Sequence, residues 1–327
     1  MKITTLLGLV FSLALTSCSI SNRTLVAQNA DFWLVEAGSD DNFALIAQDY
    51  LGDPALASTL VRYNPGIKVK PGEVIAVPKG NLNPAAVYAN GMQVIPILCY
   101  HQFTNKKRSL NSMMVTRNNF AQQMAYLKDN GYQVIPLSDV GPFLQGKKPL
   151  PEKSVVITVD DGYASFYQVA YPILKQYGYP STLFVYTDFV GIGRALSWQQ
   201  IEELNNDPLV AIQSHSKSHA NLARAADSES EKDYLDRLEE EVDKPAQILR
   251  KKTQHPIEYF AYPYGNSSPE LIKILEERDY QMALTVRKGS NPSYSSPYLL
   301  RRTMIYGQDS LKSFSSKLDV FRQINLQ

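Results

Sequence analysis

The chain is poor in residues that cross-link or ligate, with two cysteines and four histidines among 327 residues. Charge of one sign is also missing. A formal net charge of +1 excludes a protein that binds nucleic acid mainly by charge. No long apolar run occurs beyond the first residues, and there is no low-complexity tail. What is present is a 44% hydrophobic content, enough for a substantial core in one large domain plus a small one. With histidine so scarce, two of them in the five-residue segment His215-Ser216-Lys217-Ser218-His219 carry information.

At the N-terminus, Lys2 precedes an apolar stretch over residues 3–15, the charged start and short apolar core of a secretory signal. The following Leu15-Thr16-Ser17-Cys18 resembles the lipobox of bacterial lipoproteins, which implies lipid on Cys18 and a membrane anchor. In a bacterium with two membranes, Ser19 in place of Asp resembles proteins passed to the outer membrane, facing the periplasm. With Cys18 lipidated, Cys99 has no disulfide partner. Cys99 sits in the apolar segment 94–100 and reads as a buried small hydrophobe.

Residues 1–17 are thus expected to be a signal peptide and 18–30 a polar tether. Over 31–79 the pattern is strand, helix, helix, strand. Its Val35 to Asp40 segment, Asn64-Pro65 pair and Lys70-Pro71-Gly72 to Pro78 ending resemble a LysM module. That resemblance implies binding of N-acetylglucosamine polymers, chiefly peptidoglycan or chitin. Residues 80–92 read as a linker, and 93–327 as the large domain. There, apolar strand candidates at 94–100, 133–136, 155–159, 182–186, 210–214, 257–261 and 281–286 alternate with helical stretches. Such alternation predicts an α/β fold with parallel strands, whose catalytic groups gather at the strands' C-terminal ends.

The run Val155-Val156-Ile157-Thr158-Val159 ends in Asp160-Asp161-Gly162. Two like charges at a strand end call for a cation or a proton. One carboxylate with two imidazoles is a common open ligand set for a catalytic divalent ion, and a second carboxylate beside it can take a proton from water. His101, Asp160, Asp161 and His215 each follow a strand candidate.

Thr158-Val159-Asp160-Asp161-Gly162 and Ser214-His215-Ser216-Lys217-Ser218-His219 resemble the first two motifs of the polysaccharide deacetylases (NodB-homology domain, carbohydrate esterase family 4). The resemblance implies a distorted seven-stranded (β/α) barrel and removal of N-acetyl, sometimes O-acetyl, groups from glycans. It also implies a divalent metal, Zn²⁺ first, with Co²⁺ or Ni²⁺ as alternatives. By position, Asp160 becomes the general base, and Asp161, His215 and His219 the metal ligands. Phe260-Ala261-Tyr262-Pro263-Tyr264-Gly265 resembles the third motif, with Pro263 at the substrate and the Tyr264 backbone N–H at the oxyanion.

This third motif usually begins with Arg, which orients the base; here Ala261 stands in that place. The usual late Leu-x-His motif is missing as well, since no His follows His255. A poly-N-acetylglucosamine deacetylase subgroup instead takes its acid from an early Tyr-His pair, which Cys99-Tyr100-His101 resembles. It shares the Leu196-Ser197-Trp198-Gln199 phrase, which implies Trp198 as a wall of the acetyl pocket. Tyr163, beside the first motif, is a candidate for stacking on a sugar ring. Arg301-Arg302 suits either an anionic glycan or a structural role at the barrel mouth. The alternatives to an N-deacetylase are a catalytically inactive peptidoglycan-binding lipoprotein and an O-acetyl esterase.

Overall fold

The structure, a computed structural model, describes residues 23–80, 83–88, 90–109 and 111–324. The expected signal peptide and the lipidation site Cys18 lie outside the described residues. The chain divides into two compact units, one ending at residue 82 and one beginning at Asn83.

In the first unit, strands Thr24–Gln28, Phe32–Glu36 and Val74–Pro78 form an antiparallel sheet. Helices Phe43–Leu51 and Ala57–Tyr63 bury Ile46, Ala47 and Leu60 with the strand residues Val35, Ile75 and Val77. The first helix is set by Asn42, whose side chain accepts from the N–H groups of Ala44 and Leu45. Asn64 ties the second helix to the last strand: its side chain donates to Leu60 O and Ala76 O and accepts from Ala76 N, all within 2.9 Å. That triple contact accounts for an asparagine at the end of the helix.

Part of the expected tether, Thr24–Gln28, is a strand instead. Its Thr and Val suit a sheet edge, and Asn29 turns the chain by accepting from the N–H groups of Asp31 and Phe32 at 2.8 and 2.7 Å. The expected linker also departs from expectation. Val87–Tyr88 and Gly91–Gln93 form a hairpin that the chain's end, Phe321–Gln323, joins as an antiparallel strand.

The second unit is the expected (β/α) barrel. Its staves are β1 (Ile97–Tyr100), β2 (Ser154–Val159), β3 (Ser181–Val185), β4 (Val210–Ser214), β5 (Tyr259–Ala261), β6 (Met282–Leu284) and β7 (Thr303–Met304). They pair in parallel in the order β6-β5-β4-β3-β2-β1-β7. An isolated parallel bridge between Leu284 and Leu300 links β6 to the segment just before β7. Of the seven strands read from the sequence, Gln133–Val134 lies off this path and only flanks the start of β2. The seventh stave is β7, two residues long and lacking the apolar run that would have announced it.

The strands are buried on both faces, as parallel strands between a lumen and a helical shell should be. Leu98, Val155, Ile157, Val159, Leu183 and Phe260 pack outward with the helices. Ile97, Val156, Phe184, Ala261 and Leu284 form a separate inner cluster. Alternation continues along β1 and β2 and carries Cys99, Thr158 and then Asp160 onto the inner side. Pairing of Thr158 with Cys99 fixes the register, so that Asp160 emerges beside His101. Site residues are therefore delivered by strand period and register.

Candidate active site

Asp160 and Asp161 are adjacent but face different surroundings because the chain turns sharply between them. Asp161 and Gly162 both have left-handed backbones, with φ of 76° and 82°. A Cβ at Gly162 would come within 3.1 Å of the Val185 side chain, so this turn favours glycine twice over. Asp160 stays buried below the mouth while Asp161 reaches it. Beyond β4, the segment His215 to His219 also bends through left-handed backbone, at Ser216 (φ 71°) and His219 (φ 61°). Non-glycine residues in that region are strained, and such strain collects at functional sites.

His215 is aimed by its Nδ1, 2.7 Å from the carbonyl of Ala261. Its Nε2 then lies 3.5 Å from Asp161 Oδ1, and His219 Nε2 lies 3.5 Å from the same oxygen. Donors about 2.1 Å from a tetrahedral ion stand about 3.4 Å apart, so this spacing fits a Zn²⁺-sized cation. A borderline O/N/N donor set admits other divalent ions as well. Burial lowers the pKa of His215, but Asp160 and Asp161 outweigh it and the net shift is upward. Burial and the neighbouring His215 hold His219 below its ordinary value.

The residue that orients Asp160 was not connected to it from the sequence. Arg302, fully buried just before β7, donates from Nη1 to Asp160 Oδ1 and from Nη2 to Oδ2, each at 2.7 Å. Its Nη1 also reaches Thr158 Oγ1 at 3.2 Å, and its Nε donates to Thr285 O at 2.8 Å. This fork is the strongest geometry available to a carboxylate. Burial alone would raise the pKa of Asp160; the charge of Arg302 reverses that and holds it well below the carboxylate range. The place left open by Ala261 is thus filled from the segment just before the last stave. The available clue was an arginine pair in a chain whose third motif lacks its own.

Cys99 Sγ lies 3.5 Å from Asp160 Oδ2, and burial raises its pKa well above normal, so it is a thiol donating to the carboxylate. His101 completes a second close group with Cys99 and Asp160. Arg302 already brings a positive charge there, so that group suits proton transfer better than a cation. Burial lowers the pKa of His101. Its buried Nδ1 has no hydrogen-bond partner among the described residues.

These groups open into a cavity of 470 Å³ lined by His101, Asp160, Asp161, His215 and His219, with Tyr163, Tyr264 and Tyr306 among its walls. Its size suits a sugar with its substituent. Tyr264 stands at the rim with a left-handed backbone (φ 58°) and its ring 4.6 Å from that of His219. Gly265 allows this turn to sit against Val286, whose backbone nitrogen would meet a Cβ there at 2.5 Å.

The polysaccharide deacetylase family pattern matches residues 147–283, which span both aspartates, both clustered histidines and Tyr264. YxkH of Bacillus subtilis, which carries the polysaccharide deacetylase name, is 30% identical over 226 residues, 69% of this chain and 76% of its own. The chain belongs to the polysaccharide deacetylase family.

The poly-β-1,6-N-acetyl-D-glucosamine N-deacetylase of Escherichia coli K12 is 28% identical to this deacetylase over 256 residues, 68% of the chain but 38% of the relative. Among solved structures, the Streptococcus pyogenes deacetylase PplD in complex with acetate superposes with a TM-score of 0.62 at 26% identity, covering 69% of this chain and 98% of that one. Two residues read from the sequence as touching substrate stand elsewhere. Trp198 opens helix Trp198–Asn205, packs against the outer core and lies under Lys252 Nζ at 5.5 Å, outside the cavity walls. Position 198 lies inside a capping box formed by Ser197 and Gln200, which fixes it to the helix. Pro263 is buried in the turn that carries Tyr264 and does not line the cavity. The deacetylase thus presents Tyr163 and Tyr264, rather than Trp198 and Pro263, to a ligand in this cavity.

Proposed function

We propose that this deacetylase is a metal-dependent hydrolase that removes N-acetyl groups from an N-acetylglucosamine polysaccharide in the cell envelope. The carrying observation is the 3.5 Å spacing of Asp161, His215 and His219 beside an arginine-held Asp160 in one cavity. A divalent ion bound by those three residues would supply a Lewis acid and a water of lowered pKa. Asp160, positioned by Arg302, accepts a proton from the attacking water. The Tyr264 backbone N–H, on the cavity wall, is the protein donor to the developing oxyanion. His101 protonates the departing nitrogen as the C–N bond breaks, so that acetate and a glucosamine unit result. Burial lowers the pKa of His101, so it gives up a proton readily, and Asp160 in the same close group can return one drawn from the attacking water.

Poly-β-1,6-N-acetylglucosamine is the substrate best supported, because relatives from Escherichia coli and Staphylococcus aureus carry that activity in their names. The placement of His101 against Asp160 supports the same choice. The LysM-like unit and lipid on Cys18 would hold the enzyme at peptidoglycan and at a membrane.

Acetate release from poly-β-1,6-N-acetylglucosamine oligomers, purified wall sacculi and an O-acetylated glycan separates the readings. Protein stripped by chelator should lose more than about 100-fold of its rate on the first polymer and regain it with Zn²⁺ or Co²⁺, reflecting the loss of several kcal/mol of charge stabilisation. Full activity after stripping would remove the metal from the proposal. Metal-loaded protein that releases no acetate from any polymer would favour the binding-only lipoprotein, and release from the O-acetylated glycan alone would favour the esterase.

A further inference from the structure

Glu241 lies within the charge-rich helix Glu231–Thr253, yet it is only 5% exposed. Its carboxylate turns towards the loop that carries both candidate ligand histidines. One oxygen accepts from Lys217 N at 3.0 Å and from Ser218 N at 2.9 Å, and the other accepts the Ser218 hydroxyl. Successive N–H groups after a left-handed residue form a concavity suited to an anion, and Ser216 supplies that left-handed residue. Here the anion is the protein's own side chain.

The same peptide segment is held on its other edge. Asp188 N donates to Lys217 O at 2.9 Å, and Ser216 Oγ accepts from His219 N at 3.0 Å. Glu241 therefore closes a clamp around residues 216–218, immediately before His219. Leu238, Val242 and Pro245, all buried, fix the helix that carries it.

We propose that Glu241 is a positioning residue for the cation site, holding the strained 216–219 loop in the one shape that brings His219 to within reach of Asp161 and His215. The inference rests on the reading of those three residues as metal ligands. Groups that orient metal ligands from behind typically change metal affinity about 10- to 100-fold when they are removed. Glu241→Leu removes the acceptor that serves two N–H groups and a hydroxyl, whereas a glutamine could keep both N–H contacts through its amide oxygen. Ser218→Ala removes only the hydroxyl contact.

The full chain, stripped with chelator, would be titrated with Zn²⁺ against a chromophoric competitor and with Co²⁺ by its visible absorption. The apo-protein's thermal midpoint would be recorded alongside. Glu241→Leu is expected to bind Zn²⁺ about 10- to 100-fold more weakly, with an altered Co²⁺ spectrum, and Ser218→Ala to show a smaller loss in the same direction. A purely structural role would lower the apo-protein's midpoint while leaving the folded protein's affinity and spectrum unchanged. Parent-like Zn²⁺ affinity in folded Glu241→Leu overturns the proposal; should that variant fail to fold, parent-like affinity in Ser218→Ala does so. A parent chain that takes up neither ion removes the three-residue site itself, which is a separate and earlier failure.

Discussion

Asp160→Asn is expected to cut acetate release by about 10²- to 10⁴-fold, the range for loss of a positioned general base. The substitution keeps shape and volume and removes only the ability to take a proton. Asp161, His215 and His219 are untouched, so Zn²⁺ uptake should stay near the parent's. A structural effect must be separated from the chemical one, because the amide would set an NH₂ group against one nitrogen of the Arg302 fork and leave a buried guanidinium without its counter-charge. Rates should therefore be measured on protein shown to be folded by near-ultraviolet dichroism, with metal content determined on the same sample. Folded, metal-loaded Asp160→Asn protein that keeps more than about a tenth of the parent rate would remove Asp160 from the role of base.

Arg302→Met should be the most damaging change to stability in the barrel. It leaves a carboxylate buried below the mouth with no cation paired to it, and breaking a buried pair from one side costs about 3–5 kcal/mol. The pH dependence has a definite sign. In the parent, Asp160 has a folded-state pKa below its unfolded value, so its contribution is present above the unfolded carboxylate pKa of about 3.9 and is lost as pH falls through the depressed folded value. Without Arg302, burial is free to raise the folded pKa above the unfolded one, and the neutral acid becomes the better-tolerated form. The gap between parent and variant should be widest near neutrality and narrow as the pH falls towards 4. Urea unfolding of both proteins at pH 7 and pH 4 reads this directly. A gap that does not shrink on acidification would show that the arginine stabilises by packing rather than by pairing. Arg302→Lys, which keeps the charge but not the fork, should recover part of the stability and less of the rate.

The barrel was legible in the sequence wherever a stave was long and apolar. Residues 155–159 announce themselves through an uninterrupted β-branched run, and helix Trp198–Asn205 through its cap and period. β7 was not legible, because two residues after an arginine pair carry no periodic signal and are strand only by pairing with β1. Gln133–Val134 misled for the opposite reason: it has strand-forming residues, yet pairs only at the edge of β2.

The site divides in the same way. Asp160, Asp161, His215 and His219 stood out because carboxylate and imidazole spacing is local in sequence. Arg302 and Glu241 could not be assigned so. Each is joined to the site by a contact across the fold, spanning 142 residues for Arg302 and Asp160 and 24 for Glu241 and Lys217. Trp198 shows the reverse failing, a suggestive residue whose helix cap places it outside the cavity.

The bridge at Leu300 and the short β7 that follows have a consequence for biosynthesis. Asp160 sits on the second stave to be made, while the arginine that aims it arrives with the last. A nascent chain, or a fragment ending before residue 302, would possess both aspartates and both histidines of the cluster and still lack an oriented base. Hydrolytic competence would therefore appear late, only after the final stave had docked. Any quality control that discards incompletely closed barrels would discard chains that had not yet become enzymes.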